Sequence, residues 1–378
     1  MAPAASVHVL ALEPHYGGSH RAMLDGWVRH SRHTWTVLGL PAYKWKWRMR
    51  HAPLTLADDV RRRVAEGERF DMLLVSDMLG LAEFRGLAPE SVARLPAVVY
   101  FHENQLTYPV REPRERDQHF AFTNFTTAAA ADAVWFNSAF HRDELLAALR
   151  EFLARMPDYQ PLDVVDAIEA KSLVQPPGVE MPPERGVRRP GPLRILWAAR
   201  WEHDKGPELF FEALELLAAR HVDFRLSVVG EQFRDTPEVF ATARRRFADR
   251  IDRWGFQANR DDYLAALSTV DAIVSTARHE FFGIAVVEAI AAGAYPLLPN
   301  RLAYPEILDI AAHPQHADAF LYDGRAVTLA ERLASLALRL DATGSVWSAE
   351  VPTLRHCIAR FAWPHRAAEM DAALEALA

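Results

Sequence analysis

Glu280 and Glu288 stand with seven residues between them in the string His279-Glu-Phe-Phe-Gly283-Ile-Ala-Val-Val-Glu288, just after an apolar run at 272–275. Gly283 suits a helix start, and the first N–H groups of a helix lack intrahelical partners, so the string offers carboxylates and amide donors to a sugar or an anion. As bare spacing the pair is weak, since any acidic helix supplies it. Its place after a strand gives it weight, because ligands of open α/β sheets bind beyond the carboxyl ends of the strands. Upstream, the run 193–198 leads into Arg200 and Lys205. A guanidinium fork and a point charge together suit a diphosphate, and a solvated basic pair is the plainer alternative.

The first half holds three further candidates. Gly17, Gly18 and Ser19 follow Glu13-Pro-His-Tyr, so the backbone could approach a ligand closely at the mouth of a helix. A tight turn with Ser19 as N-cap explains the same residues. His102, Glu103, Asn104 and Gln105 leave the run 97–101 and could hydrogen-bond a polyhydroxylated ligand, or form a solvated loop with His102 packed. Lys44, Trp45, Lys46, Trp47, Arg48 and Arg50 interleave cations with aromatics, and up to residue 56 only Glu13 and Asp25 oppose the cations. Three readings fit that segment: phosphates and unpaired bases, a membrane surface, or an amphipathic segment such as an edge strand with buried tryptophans.

Composition bounds these possibilities. The chain has 378 residues, half of them hydrophobic and a quarter charged, which is globular and long enough for two domains. A net charge of −7 excludes a polybasic binder of nucleic acid. The single cysteine, Cys357, excludes an internal disulfide and fits a reducing compartment. The sixteen histidines show no paired metal-ligand spacing, so no metal is expected. No leader is expected, because Glu13-Pro14 interrupts the first apolar run, and no apolar stretch reaches a membrane span.

The elements that must position these residues alternate between short apolar strands and helical patterns, as in parallel βαβ units. Strands are predicted at 7–12, 35–40, 72–75, 97–101, 133–136 and 172–175, then afresh at 193–198, 224–229, 251–254, 272–275 and 295–298. Helices are predicted at 19–30, 56–66, 117–130 and 139–154, then at 207–220, 237–249, 260–267, 284–292, 328–340 and 367–377. A run of prolines and glycines at 176–192 separates the halves. The expected division is an N-terminal domain 1–178, a hinge 179–192, a C-terminal domain 193–360 and a closing segment 361–378 that returns to the first domain. Arg61-Arg62-Arg63 reads as a solvated helix face.

Taken together, these motifs resemble the retaining GT-B glycosyltransferases of the glycogen-synthase and mannosyltransferase type. The strings at 13–20, 44–50, 100–109 and 136–143 narrow the resemblance to the tRNA-queuosine α-mannosyltransferase family. The resemblance implies two Rossmann-like doubly wound α/β domains facing across an interdomain cleft. It implies mannose transfer from GDP-mannose to the cyclopentenediol of queuosine in the anticodon of an aspartate tRNA, in the cytoplasm, without stable membrane insertion and without a metal or other cofactor. Arg200, Lys205, Glu280 and His102 would form the catalytic set. Gly17, Gly18, Ser19, Gly230, Glu231, Phe256, Phe282, Gly283, Ile284 and Glu288 would bind the donor, with Glu288 on the ribose, the 282–284 backbone on the sugar, and Glu231 and Phe256 at the base. His20, Lys44, Trp45, Lys46, Trp47, Arg48, Arg50, Glu103, Asn104 and Gln105 would bind the acceptor. Domain closure about the hinge would exclude water. Two alternatives remain: another nucleotide sugar with a lipid, glycan or small-metabolite acceptor, and a binding protein without turnover.

Overall fold

Short, nearly continuous apolar runs become strands buried on both faces, the pattern that parallel sheets require. The computed structural model describes residues 6–109, 117–233, 235–348 and 353–377. Two compact units divide it: Met1–Gly178 with Trp363–Ala378, and Val179–Ala362.

The first unit is built on β1 (His8–Tyr16), β2 (Thr34–Pro41), β3 (Met72–Ser76), β4 (Ala97–Phe101), β5 (Ala133–Phe136) and β6 (Ser172–Val174), all parallel, in the order β2-β1-β3-β4-β5-β6. Alternation along a strand sends successive side chains to opposite faces. Leu10, Leu12, Val99 and Phe101 join one core under helices Trp45–Ala65 and Ala139–Ala154. Val9, Ala11, Val98 and Tyr100 join the other, with Trp27 of helix Gly18–His30 and Trp363 of helix Trp363–Glu375. The last helix is locked in place: Asp371 accepts hydrogen bonds from Trp27 Nε1 (2.8 Å), Ser31 Oγ (2.8 Å) and the Arg32 amide (2.9 Å). Gly26 and Gly178 admit the Trp363 ring, since a Cβ at either would lie 2.2 Å from it.

In the second unit β7 (Leu193–Ala198), β8 (Phe224–Val229), β9 (Ile251–Gly255), β10 (Ala272–Val274), β11 (Tyr295–Pro299) and β12 (Leu321–Tyr322) run in the order β12-β11-β10-β7-β8-β9. The strand order reverses between β1 and β3 in one sheet and between β7 and β10 in the other, which are the positions where doubly wound sheets bind ligands.

Four local expectations are corrected. β1 continues past residue 12 to Tyr16, so Glu13 lies on a strand. The segment 44–50 is no edge strand: Lys44 takes a left-handed conformation (φ 52°) and the helix starts at Trp45, eleven residues before its predicted start, with Pro53 inside it. β12, of two residues, is too short to show in a pattern. The proline-rich stretch 179–192 is tied to the second unit rather than being a free linker. Arg185 Nη1 lies 3.0 Å from Asp271 Oδ1, and Arg188 contacts both Asp271 oxygens at 2.7 and 2.8 Å. Asp271 is fully buried, so these guanidiniums neutralise a charge that burial would otherwise penalise.

Candidate functional site

At the switch point of the second unit, the loops after β7 and β10 are stitched together. Gly206 (φ 64°) opens helix Pro207–Ala219, and a Cβ there would lie 2.3 Å from the Thr276 carbonyl oxygen. Thr276 Oγ1 donates to the Lys205 carbonyl (2.9 Å), and the Arg278 amide donates to the Asp204 carbonyl (2.7 Å). This clasp holds Lys205 nearly buried, with Nζ donating to the His279 carbonyl (2.8 Å) and lying 3.2 Å from Asp204 Oδ2 and 3.4 Å from Glu280 Oε2. Burial, and then the neighbouring ammonium, push the His279 imidazole down to about 4, so the ring is neutral at pH 7. Arg200 stands at the surface, its Nε 3.3 Å from Glu202 Oε2. Lys205, Arg200 and Glu280 are thus assembled from two strand ends into one place.

Gly283 (φ 92°) begins helix Ile284–Ala291, whose first amides have no partner within the helix. The Phe282 ring is buried against Phe361 (5.1 Å), which leaves its backbone as the part of the residue that could serve a ligand. Glu288 is buried on that helix, where Oε1 accepts from Arg260 Nη2 (2.6 Å) and Oε2 from the Tyr263 hydroxyl (2.8 Å). Burial raises its carboxyl pKa, against the lowering effect of Arg260. Sequence reading missed Arg260 and Tyr263: they sit on helix Arg260–Ser268, and no motif links it to Glu288.

Gly230 answers to packing. Its φ is 154°, and a Cβ would meet the Ala199 carbonyl oxygen at 1.7 Å. Glu231 and Phe256 are exposed at the ends of β8 and β9, Phe256 at 64%. Trp254 is half-buried against the core, edge-on to Trp201 at 5.3 Å.

In the first unit the ends of β1, β3 and β4 converge on a buried polar cluster. Glu13 Oε1 accepts from the His15 amide (2.8 Å) and Ser76 Oγ (3.0 Å), while Oε2 lies 3.2 Å from His20 Nδ1. Despite burial, Glu13 raises His20 to about 9, and His20 holds Glu13 below the usual carboxylate range. The His20 ring stacks on His102 at 3.9 Å. The His102 amide donates to Asp77 Oδ1 (2.9 Å), and burial pushes the Asp77 carboxyl up to about 8. Burial and the neighbouring His20 drive the His102 pKa well down.

Several sequence expectations in this unit are corrected. Ser19 is no N-cap: the cap is Gly17, without a side-chain bond. Gly17 is needed for packing, since its Cβ would lie 2.4 Å from Ala42 Cβ, whereas Gly18 (φ 53°) faces open space. Asn104 is fully buried and serves the loop: Oδ1 accepts from the Leu106 and Thr107 amides, and Nδ2 bonds Thr107 Oγ1 (2.9 Å) and His141 Nε2 (3.1 Å). Gln105, almost buried, donates its backbone amide to Asn124 Oδ1 (2.7 Å) and Nε2 to Glu103 Oε1 (3.0 Å). Of that string, His102 and Glu103 retain exposure.

Helix Trp45–Ala65 divides the aromatic and basic residues. Trp45 packs against Phe120 (5.1 Å), and Arg48 Nε is spent on the Pro41 and Tyr43 carbonyls (3.0 and 3.1 Å). Trp47 stays 62% exposed, beside exposed Lys44, Lys46, Arg50 and Tyr43. Arg61, Arg62 and Arg63 are each paired, with Asp58, Asp59 and Glu68. Among the described residues no carboxylate forms an ion pair with Lys44, Lys46 or Arg50.

Two Rossmann-like units with a cation and carboxylate set at the second switch point define a glycosyltransferase of GT-B fold. Solved structures of the same fold include an Anabaena HepE complex with UDP and glucose (TM-score 0.68, 15% identity, 98% of this chain and 100% of that one). Sucrose-phosphate synthase of Thermosynechococcus elongatus is another (TM-score 0.68, 16% identity, 99% of both chains). Residues 8–179 match the family described as tRNA-queuosine alpha-mannosyltransferase N-terminal, and residues 183–338 match glycosyl transferases group 1. A tRNA-queuosine alpha-mannosyltransferase of Drosophila melanogaster is 38% identical over 315 residues, 80% of this chain and 82% of the relative. The chain belongs to the tRNA-queuosine α-mannosyltransferase family. A GDP-mannose:cellobiosyl-diphosphopolyprenol alpha-mannosyltransferase of Xanthomonas campestris is 27% identical over 283 residues, 72% of this chain and 71% of that one.

Proposed function

We propose that the protein transfers mannose, with retention, from GDP-mannose to the cyclopentenediol of queuosine in the anticodon of an aspartate tRNA. The observation that carries the reading is the exposed face of Lys44, Lys46, Trp47 and Arg50, whose charges no described carboxylate balances, in a chain that also holds the Lys205 and Glu280 site. Cations neutralise backbone phosphates, and an exposed indole stacks on an unpaired base, which an anticodon loop supplies.

On the donor side, negative charge grows on the departing diphosphate as the glycosidic bond breaks. The fixed ammonium of Lys205, the Arg200 guanidinium and the amides at Gly283 and Ile284 supply positive potential to that oxyanion. Those groups do the work that a divalent metal does elsewhere, so transfer is expected to proceed without one. Glu280, beside Lys205, orients the sugar hydroxyls. Each Glu288 oxygen has a second lone pair beyond its bond to Arg260 or Tyr263 and can accept a ribose hydroxyl. With no carboxylate assigned as nucleophile, attack from the face that the diphosphate leaves accounts for retention, the departing phosphate taking the acceptor proton. The buried thiol Cys357 fits the reducing cytoplasm, where such a tRNA resides.

Nucleoside mass spectrometry on queuosine-containing aspartate tRNA, after incubation with protein and GDP-mannose, tests the reading. One added hexose on queuosine is expected. No gain with intact GDP binding would overturn the acceptor and leave lipid or glycan acceptors, with the Lys and Trp face at a headgroup.

A further inference from the structure

Glu13, His20 and His102 come from β1, the first turn of helix Gly18–His30 and the residue after β4, so no local spacing announces them as a set. In the fold one ligating atom from each lies within 4.8 Å of the other two, and Glu13 and His20 are buried. Two imidazoles and a carboxylate form the donor set that zinc and cobalt(II) favour, and soft thiolates are not required.

We propose that Glu13, His20 and His102 form a binding site for a divalent transition-metal ion, zinc being the natural occupant. Two features of the site support it. First, zinc holds nitrogen and oxygen ligands at about 2.0–2.2 Å, which places the ligand atoms about 3.4 Å apart in a tetrahedron. Glu13 Oε2 and His20 Nδ1 already stand 3.2 Å apart, so only His102 has to turn inward. Second, the carboxylate ligand has the supports that metal sites need. Glu13 Oε1 is held by the His15 amide and Ser76 Oγ, and the His102 backbone is held by Asp77. Asp77 is fully buried, and its Oδ2 has no hydrogen-bond partner among the described residues.

The ion takes no part in sugar transfer. It engages His20 and His102, which the transferase reading gives to acceptor and sugar. On that reading zinc acts as a reversible inhibitor.

The test is a titration of metal-free full-length protein with cobalt(II), followed by visible absorption, with zinc uptake measured by calorimetry. One cobalt per chain with intense four-coordinate d–d bands is expected, displaced by one equivalent of zinc. His20→Asn and His102→Asn, each checked for folding by circular dichroism and for GDP binding, are expected to lose the bands and weaken zinc binding at least tenfold. Absence of saturable uptake by the wild type, or uptake unchanged in both folded variants, overturns the site. The two readings fail separately: hexose transfer in chelator without cobalt uptake removes the metal site alone, and cobalt uptake without hexose transfer removes the transferase reading alone.

Discussion

Replacing Lys205 by methionine keeps most of the side-chain volume and deletes the charge. Nζ donates to the His279 carbonyl at 2.8 Å and stands 3.2 and 3.4 Å from Asp204 and Glu280. Losing a charge-assisted hydrogen bond of this kind costs about 1.5–3 kcal/mol of stability. Glu280 retains 27% solvent contact, but the Asp204 oxygen that faces the ammonium, Oδ2, is buried without a hydrogen-bond partner among the described residues, so its charge is left unbalanced. A folding loss of about 3 kcal/mol is therefore expected, larger than a surface lysine would show. The catalytic loss is separate. Removing one fixed donor from a developing oxyanion costs about 3 kcal/mol, or roughly a hundred- to a thousandfold in turnover. Steady-state kinetics well below the melting temperature, with GDP-mannose and queuosine-containing tRNA varied in turn, isolates that term as a fall in kcat with the tRNA KM unchanged. A folded variant with kcat within about threefold of wild type would refute the placing of Lys205 on the leaving group.

Trp47→Ala is expected to leave the melting temperature unchanged and to raise the tRNA KM by about ten- to a hundredfold, the worth of one stacked base. Trp45→Ala, which empties the contact with Phe120, is expected to lower the melting temperature, and differential scanning fluorimetry checks both. Because the folded-state pKa of His279 is about 4, the unfolded chain takes up a proton below about pH 6.5 and the folded chain does not. The stability tied to the neutral ring is full above about pH 6.5 and is lost as pH falls towards 4. Denaturant midpoints across that window should therefore drop less in His279→Asn than in wild type. Asp371→Ala strands the Trp27 indole N–H, the Ser31 hydroxyl and the Arg32 amide in or near the core. A loss of about 3 kcal/mol in urea unfolding is expected, with no change in GDP affinity.

Strand positions were legible because parallel strands buried on both faces are written as unbroken apolar runs: 97–101, 133–136, 193–198 and 224–229 appear at their observed bounds. Strand ends in turn locate ligand sites, so Arg200, Lys205 and Glu280 could be singled out from order along the chain. The helix at Trp45 was hidden because a left-handed Lys44, one strained residue, decides where it begins.

What the amino-acid order alone determined is therefore the local part: the strands, the motif strings and the kinds of side chain at each strand end. Tertiary structure decided how those side chains are used. Asn104 looked like a ligand residue and is spent on its own loop and on His141, because a buried amide is costly unless it finds internal partners. Lys46 and Trp47 face solvent while Trp45 packs inward, a sorting made by the helix and by Phe120 across from it. Glu288 meets Arg260 and Tyr263, and Glu13 meets His20 and His102, only where the sheets bring distant strand ends and helices together. The physical reason is range: backbone propensity and pattern act over a few residues, whereas charge pairing and pKa depend on neighbours that only the folded chain supplies.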